Sequence, residues 1–271
     1  MFNKTKFLGL LFFCLVLNSS TVADAKVQTK EVEYKSGDTT LKGFIAYDDA
    51  IKGKRPGILV VHEWWGHNEH ARNRAKKLAG LGYTALAVDM YGDGKQADHP
   101  QKAGEYMEAT LKDWEGSKAK FNAARTLLQG HETVDAKKIG AIGFCYGGGV
   151  AMRMARDGAD LAGVVAFHSG LPTEPPVTKN KVTAPILVIN GSDDGFLKPE
   201  SVGAFMKEMV EANAEVTYMS LAGVRHSFTN PQADEFQKKF NLPALSYNKE
   251  ADERSWSAMQ SFFKRVFSAG K

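Results

Sequence analysis

KKIGAIGFCYGGGVAM, residues 137–152, sets an apolar run against a cluster of glycines, with Cys145 at the junction. Within it, Gly143-Phe144-Cys145-Tyr146-Gly147 has the form G-x-S-x-G with cysteine in the serine place. Such a string builds a strand–turn–helix elbow that lifts a nucleophile clear of the backbone. Glycine is needed at both ends because side chains there would collide across so tight a turn. The helix that follows turns its N-terminus toward the sulfur, which favours thiolate over thiol. The N–H of Tyr146, next after the nucleophile, is placed to bind an oxyanion. Taken alone, the string also suits a small buried cysteine beside glycines that pack a helix onto a sheet. The rest of the chain decides between the two.

Working outward, apolar runs alternate with helical patterns. Residues 32–47 read as two strands joined by a tight turn at Ser36-Gly37-Asp38, and 57–62 as a buried strand. Residues 68–82 read as a helix and 83–90 as a strand. A long polar segment then carries Met107, Leu111, Trp114, Phe121 and Leu128 at the spacing of one helical face, a stripe suited to core packing. The elbow strand and helix follow, then strands at 161–170, 184–191 and 215–221, with a helix at 199–213 and a closing amphipathic helix at 252–267. Residues 230–247 read as a loop insertion. The alternation predicts an α/β fold, a mostly parallel central sheet with helices on both faces, in one domain over 26–271.

A cysteine nucleophile needs a base, and the base needs an orienting acid. In elbow-bearing folds these follow the nucleophile in the order acid, histidine. The strand at 184–191 runs into Ser192-Asp193-Asp194, and the strand at 215–221 runs into Arg225-His226. Three successive strand–loop units thus bring Cys145, an acid and His226 to the carboxyl edge of one sheet, where open α/β sheets bind ligands. The other later histidine, His168, precedes the acid. Asp194 is the preferred acid; Asp193 remains the alternative, one of the pair serving to cap the turn.

Segment 1–25 opens with Lys4 and Lys6, continues through a short apolar run at 7–17 and ends in Ala23-Asp24-Ala25. This is the pattern of a cleaved secretory signal peptide, too short for a full membrane span. Export to the periplasm or outside the cell is therefore expected, with no stable membrane insertion after cleavage. Of the two cysteines, Cys14 would leave with the segment. Cys145 would then be a lone free thiol, without a resolving partner for disulfide exchange. The formal net charge of +4 falls by one with Lys4, Lys6 and Asp24 removed. Charges are interspersed, with no basic block to suggest nucleic acid.

The ordered strings HEWWG (62–66), DMYGDG (89–94), GFCYGG (143–148), GSDD (191–194), RHSF (225–228) and YNKEADERSW (247–256) resemble those of the dienelactone hydrolase family. These are α/β-hydrolases with a Cys-Asp-His triad, and the resemblance covers residues 30–267. It implies that Glu63 meets the resting thiol and takes its proton when substrate arrives, a masking that would protect an exported thiol from oxidation. It also implies that the backbone N–H of Trp64 is the second oxyanion donor. Pocket candidates are Trp65, Tyr91, Asp93, His168, Ser169, Phe228 and Asn230. Where relatives that cleave dienelactone carry carboxylate-binding arginines, this chain has Gly92-Asp93 and Asn230. An anionic dienelactone is accordingly a doubtful substrate.

His62-Glu63 fails the zinc pattern H-E-x-x-H because Gly66 stands in the second histidine position, and His67 with His70 lacks a third ligand. No cofactor or metal is implied. The expected activity is hydrolysis of a small ester or lactone through a Cys145 thioester. The alternatives are acyl transfer, or ligand binding without catalysis on the same scaffold. Nothing in the sequence speaks to oligomeric state.

Overall fold

β1 (Val27–Ser36) and β2 (Thr39–Asp48) form an antiparallel hairpin, and β2 pairs antiparallel with β4 (Thr84–Val88). Every later pairing is parallel, through β3 (Arg55–Val61), β5 (Val134–Phe144), β6 (Gly163–Phe167), β7 (Ile186–Gly191) and β8 (Val216–Leu221). The eight strands lie in the order β1-β2-β4-β3-β5-β6-β7-β8. This architecture comes from a computed structural model that describes residues 26–269; the expected signal segment lies outside them.

All residues of β4, β6 and β7 are buried, as strands covered on both faces must be. On one face pack α3 (Trp114–Gln129), α4 (Tyr146–Arg156) and α5 (Pro199–Glu211), through Phe121, Leu128, Val150 and Phe205. On the other pack α1 (Glu69–Gly80) and α7 (Lys249–Ala269), through Ala75, Leu78, Met259 and Phe263. α1 begins where Asn68 caps it by accepting the His70 N–H at 3.2 Å. None of the described helices is long and apolar enough to cross a membrane.

Two expectations change. The stripe read as one helical face is split between α2 (Pro100–Lys112) and α3, because Asp113 leaves helical geometry (ψ 71°) and caps α3 through the Gly116 N–H at 3.0 Å. Phe121 and Leu128 are core residues, but Met107, Leu111 and Trp114 line a cavity. The segment read as a loop insertion contains α6 (Ala233–Phe240). The eight residues of α6, flanked by Pro231 and Pro243, are too few to be stable as an isolated helix. Packing of Phe236 and Phe240 on Trp65 supplies what local propensity does not.

Candidate active site

Cys145 joins β5 to α4 with φ 53° and ψ −117°. A non-glycine residue pays of order 1–3 kcal/mol to stand there. The surroundings hold it: its N–H donates to the Phe167 carbonyl at 3.0 Å, and its own carbonyl accepts from Gly148 N at 3.1 Å. A Cβ on Gly147 would lie 2.4 Å from the Val61 carbonyl oxygen, and one on Gly143 would lie 2.1 Å from that of Gly147. Only glycine lets β3, β5 and α4 close around the elbow. The sulfur-bearing residue is half-buried and lines the cavity.

His226 follows β8 and is clamped by the segment after α6. Its N–H donates to Ala244 O at 3.1 Å, and its carbonyl accepts from Ser246 N at 3.0 Å. Nδ1 lies 2.7 Å from Asp194 Oδ2, and Asp194 Oδ1 accepts the Phe196 N–H at 2.9 Å. Asp194 is buried, whereas Asp193 is exposed and accepts from Ser192 Oγ at 2.8 Å. Of the two acids left open by the sequence, Asp194 is thus the one on the histidine. Burial acts to lower the His226 pKa, but its electrostatic interaction with Cys145 and hydrogen bonds to Asp194 and Cys145 outweigh it and push it up to about 10.

Tyr146 opens α4, at a position whose N–H has no intrahelical acceptor. The carbonyl of Trp64 accepts from the Tyr91 hydroxyl at 2.9 Å, which fixes the peptide beside the Trp64 amide. Both residues line the cavity with Cys145 and His226. Glu63 is 1 % exposed and does not make the expected contact with the thiol. Its oxygens instead accept from Ser227 Oγ at 3.0 Å and Asn230 Nδ2 at 2.5 Å, with His70 Nδ1 at 3.9 Å. Burial raises its pKa, and these two hydrogen bonds offset part of that rise.

The cavity measures about 490 Å³. Cys145, His226, Asp194 and Ser169 contribute its polar end, and Met107, Leu111, Val150, Leu171, Phe196 and Leu197 much of its apolar wall. Among the pocket candidates, Ser169 lines this space. The others do not. Trp65 is 2 % exposed and packs on α6. Tyr91 is buried as the support for Trp64. His168 is buried with Nε2 2.8 Å from Thr229 Oγ1, and its ring lies edge-on to His226 and Phe228. Phe228 is wholly buried. Asp93 faces solvent beside Lys95, because the loop after β4 is tied to β2 by its N–H on Thr40 O. Asn230 is buried against Glu63. The sequence argument from Asp93 and Asn230 against anionic substrates therefore loses its basis, since neither residue reaches the cavity.

The reading also missed Phe196, Leu197 and Arg153. Phe196 follows the acid loop by two residues and meets the His226 ring edge-on at 5.0 Å. Its one signal was an apolar side chain inside an otherwise polar turn. Among the described residues no group of three or more His, Cys, Asp or Glu is arranged to hold a metal ion.

A model of the dienelactone hydrolase family matches residues 41–267. A putative carboxymethylenebutenolidase of Aquifex aeolicus is 28 % identical over 237 residues, 86 % of this chain and 96 % of the relative. Protein usf of Aquifex pyrophilus matches equally, at 28 % identity over 86 % of this chain and 96 % of its own. Among solved structures, one titled m3DLH is 36 % identical with a TM-score of 0.84, over 89 % of this chain and 98 % of that one. A dienelactone hydrolase-like promiscuous phosphotriesterase from metagenomic libraries is 33 % identical with a TM-score of 0.81, over the same shares. With an eight-stranded sheet of this order and a family match spanning nearly every element, the chain belongs to the dienelactone hydrolase family and is an ester hydrolase with the α/β-hydrolase fold.

Proposed function

We propose that the protein cleaves a small ester or lactone through a covalent thioester on Cys145. The observation that carries this reading is the set of three groups at one end of an apolar cavity: the strained elbow cysteine, His226, and Asp194 at 2.7 Å from His226 Nδ1. The Cys145 thiolate attacks the carbonyl carbon, and the carbonyl π electrons move to oxygen. The Tyr146 and Trp64 N–H groups hold that oxyanion. As the tetrahedral species collapses, the C–O bond to the leaving group breaks, and the alkoxide takes the proton from His226 Nε2. Water, losing a proton to His226, then attacks the thioester, and the acid leaves as the thiolate re-forms. Asp194 keeps the ring in the tautomer that presents Nε2 and stabilises the imidazolium.

A panel of short-chain esters, thioesters and lactones on purified protein tests the reading. Turnover with a transient acyl adduct on Cys145, seen by intact mass and peptide mapping, is expected; turnover without any adduct on Cys145 overturns the covalent route. We further propose that segment 1–25 is removed on export, so that protein from the native host begins near Lys26. N-terminal sequencing that finds Met1 on soluble cytoplasmic protein refutes this.

A further inference from the structure

We propose that Arg153, stacked on Trp114 in the cavity wall, receives a carboxylate at the far end of the substrate. The preferred ester is then an elongated one, with its anion remote from the scissile carbonyl. The proposal rests on the reading of Cys145 as the nucleophile, because the distance between the two residues sets the length of the substrate.

Arg153 stands eight residues beyond Cys145 on α4, about 12 Å further along a helix axis at the usual rise. Long side chains on a helix lean toward its N-terminus, here back toward the nucleophile. The guanidinium accordingly lines the same cavity as Cys145. Its carbon lies 4.0 Å from the centroid of the Trp114 ring. That ring is fixed in turn by Trp114 Nε1, which donates to Asp157 Oδ2 at 2.7 Å. A stacked guanidinium keeps its donors free at the edge of the plane, and the fork matches a carboxylate.

Asp157, one turn further on at the end of α4, is engaged by Trp114 Nε1 at 2.7 Å and lies 3.9 Å from Lys118 Nζ. Among the described residues no ion pair engages Arg153, and its buried Nε has no hydrogen-bond partner. Arg156, one turn further along α4, shows the contrast: it pairs with Glu208 and also donates to Pro175 O at 2.7 Å. Among the described residues neither acid on the cavity wall forms an ion pair with Arg153. Asp194 is committed to His226, and Glu174 is exposed on its loop. The wall also carries Met107, Val150 and Leu171, apolar side chains that offer a carboxylate no competing donor. An unpaired cation at one end and a nucleophile at the other, on a wall that carries these apolar side chains, match an ester with an ω-carboxylate.

The test uses p-nitrophenyl monoesters of dicarboxylic acids of increasing chain length. Each is paired with the same ester carrying its distal acid as a methyl ester. The quantity read is the ratio of kcat/KM, acid over methyl-capped, within each protein variant, so any general loss from misfolding cancels. In the wild type the ratio should rise with chain length to a maximum of about tenfold or more, the worth of one charge-assisted contact. The gain should lie mainly in KM and shrink as salt is added. Arg153→Gln should lower that maximum to near one, and Arg153→Lys should keep part of it. A wild-type ratio at or below one at every length overturns the proposal, as does an unchanged ratio in Arg153→Gln. If neither ester of any pair is turned over and Cys145 is never acylated, the nucleophile reading fails, and this subsite with it.

Discussion

Replacing Cys145 with alanine is expected to lower ester turnover about 10⁴-fold or more, leaving only what the oxyanion donors and binding contribute. In the proposed mechanism the sulfur forms the acyl bond, and no other nucleophilic side chain occupies the elbow. Folding should survive, because Cys145 is half-buried and its backbone, not its thiol, makes the hydrogen bonds that set the turn. The thermal midpoint should move by only a few degrees, as about 1 kcal/mol does in a domain of this size. Cys145→Ser should retain little activity, since a hydroxyl is the weaker nucleophile and needs fuller deprotonation by His226. Turnover assays with intact-mass detection of the acyl adduct check the two losses of activity, and thermal unfolding checks the fold. Full activity in the alanine variant would remove Cys145 from the mechanism.

Asp194→Asn carries the second-largest expected effect, a loss of about 10³- to 10⁴-fold in kcat. Asparagine keeps the size of the side chain but can offer its amide N–H to Nδ1, which favours the wrong tautomer. Asp193→Asn should change turnover by no more than a few-fold, because Asp193 is exposed and bonds Ser192. The pH profile separates the electrostatic part of the role. The His226 pKa is pushed up to about 10, by Cys145 first and by the hydrogen bond and charge of Asp194 after it. In the proposed acylation the protonated ring supplies the leaving alkoxide, so kcat/KM should fall above that pH, whereas deacylation needs the neutral ring. Taking away one negative charge weakens the hold on that proton. The alkaline limb of kcat/KM should therefore move to lower pH in Asp194→Asn and stay in place in Asp193→Asn. The reverse ranking of the two variants would transfer the role to Asp193.

The order of elements and the triad candidates were legible in the sequence because they rest on local rules. β-branched runs such as 57–61 and 186–189 have few conformations other than buried strands. A turn as tight as the one observed admits only glycine at 143 and 147, where a Cβ would lie 2.1 and 2.4 Å from backbone oxygens. Strand, turn and helix in parallel order carry their connecting loops to one edge, so Cys145, the acid pair and His226 had to meet there. Three matters depended on distances between segments far apart in the chain. Choosing Asp194 over Asp193 took the fold of the loop after β7, which buries one carboxylate and exposes its neighbour. Glu63 turned out to be held by Ser227 and Asn230, more than 160 residues away in sequence, because the loop after β3 and the loop after β8 converge. Most of the cavity wall comes from the crossing of α2, α3 and α4 and from the loops after β6 and β7. Periodicity told which face of those helices was apolar, and it read Met107, Leu111 and Trp114 as core. Whether an apolar face meets the sheet or a cavity depends on where a neighbouring helix stops, and Asp113 alone does not reveal that in sequence. The same physics hid Arg153: a cation on a helix reads as solvent-facing until tertiary packing places an indole beneath it and a cavity in front.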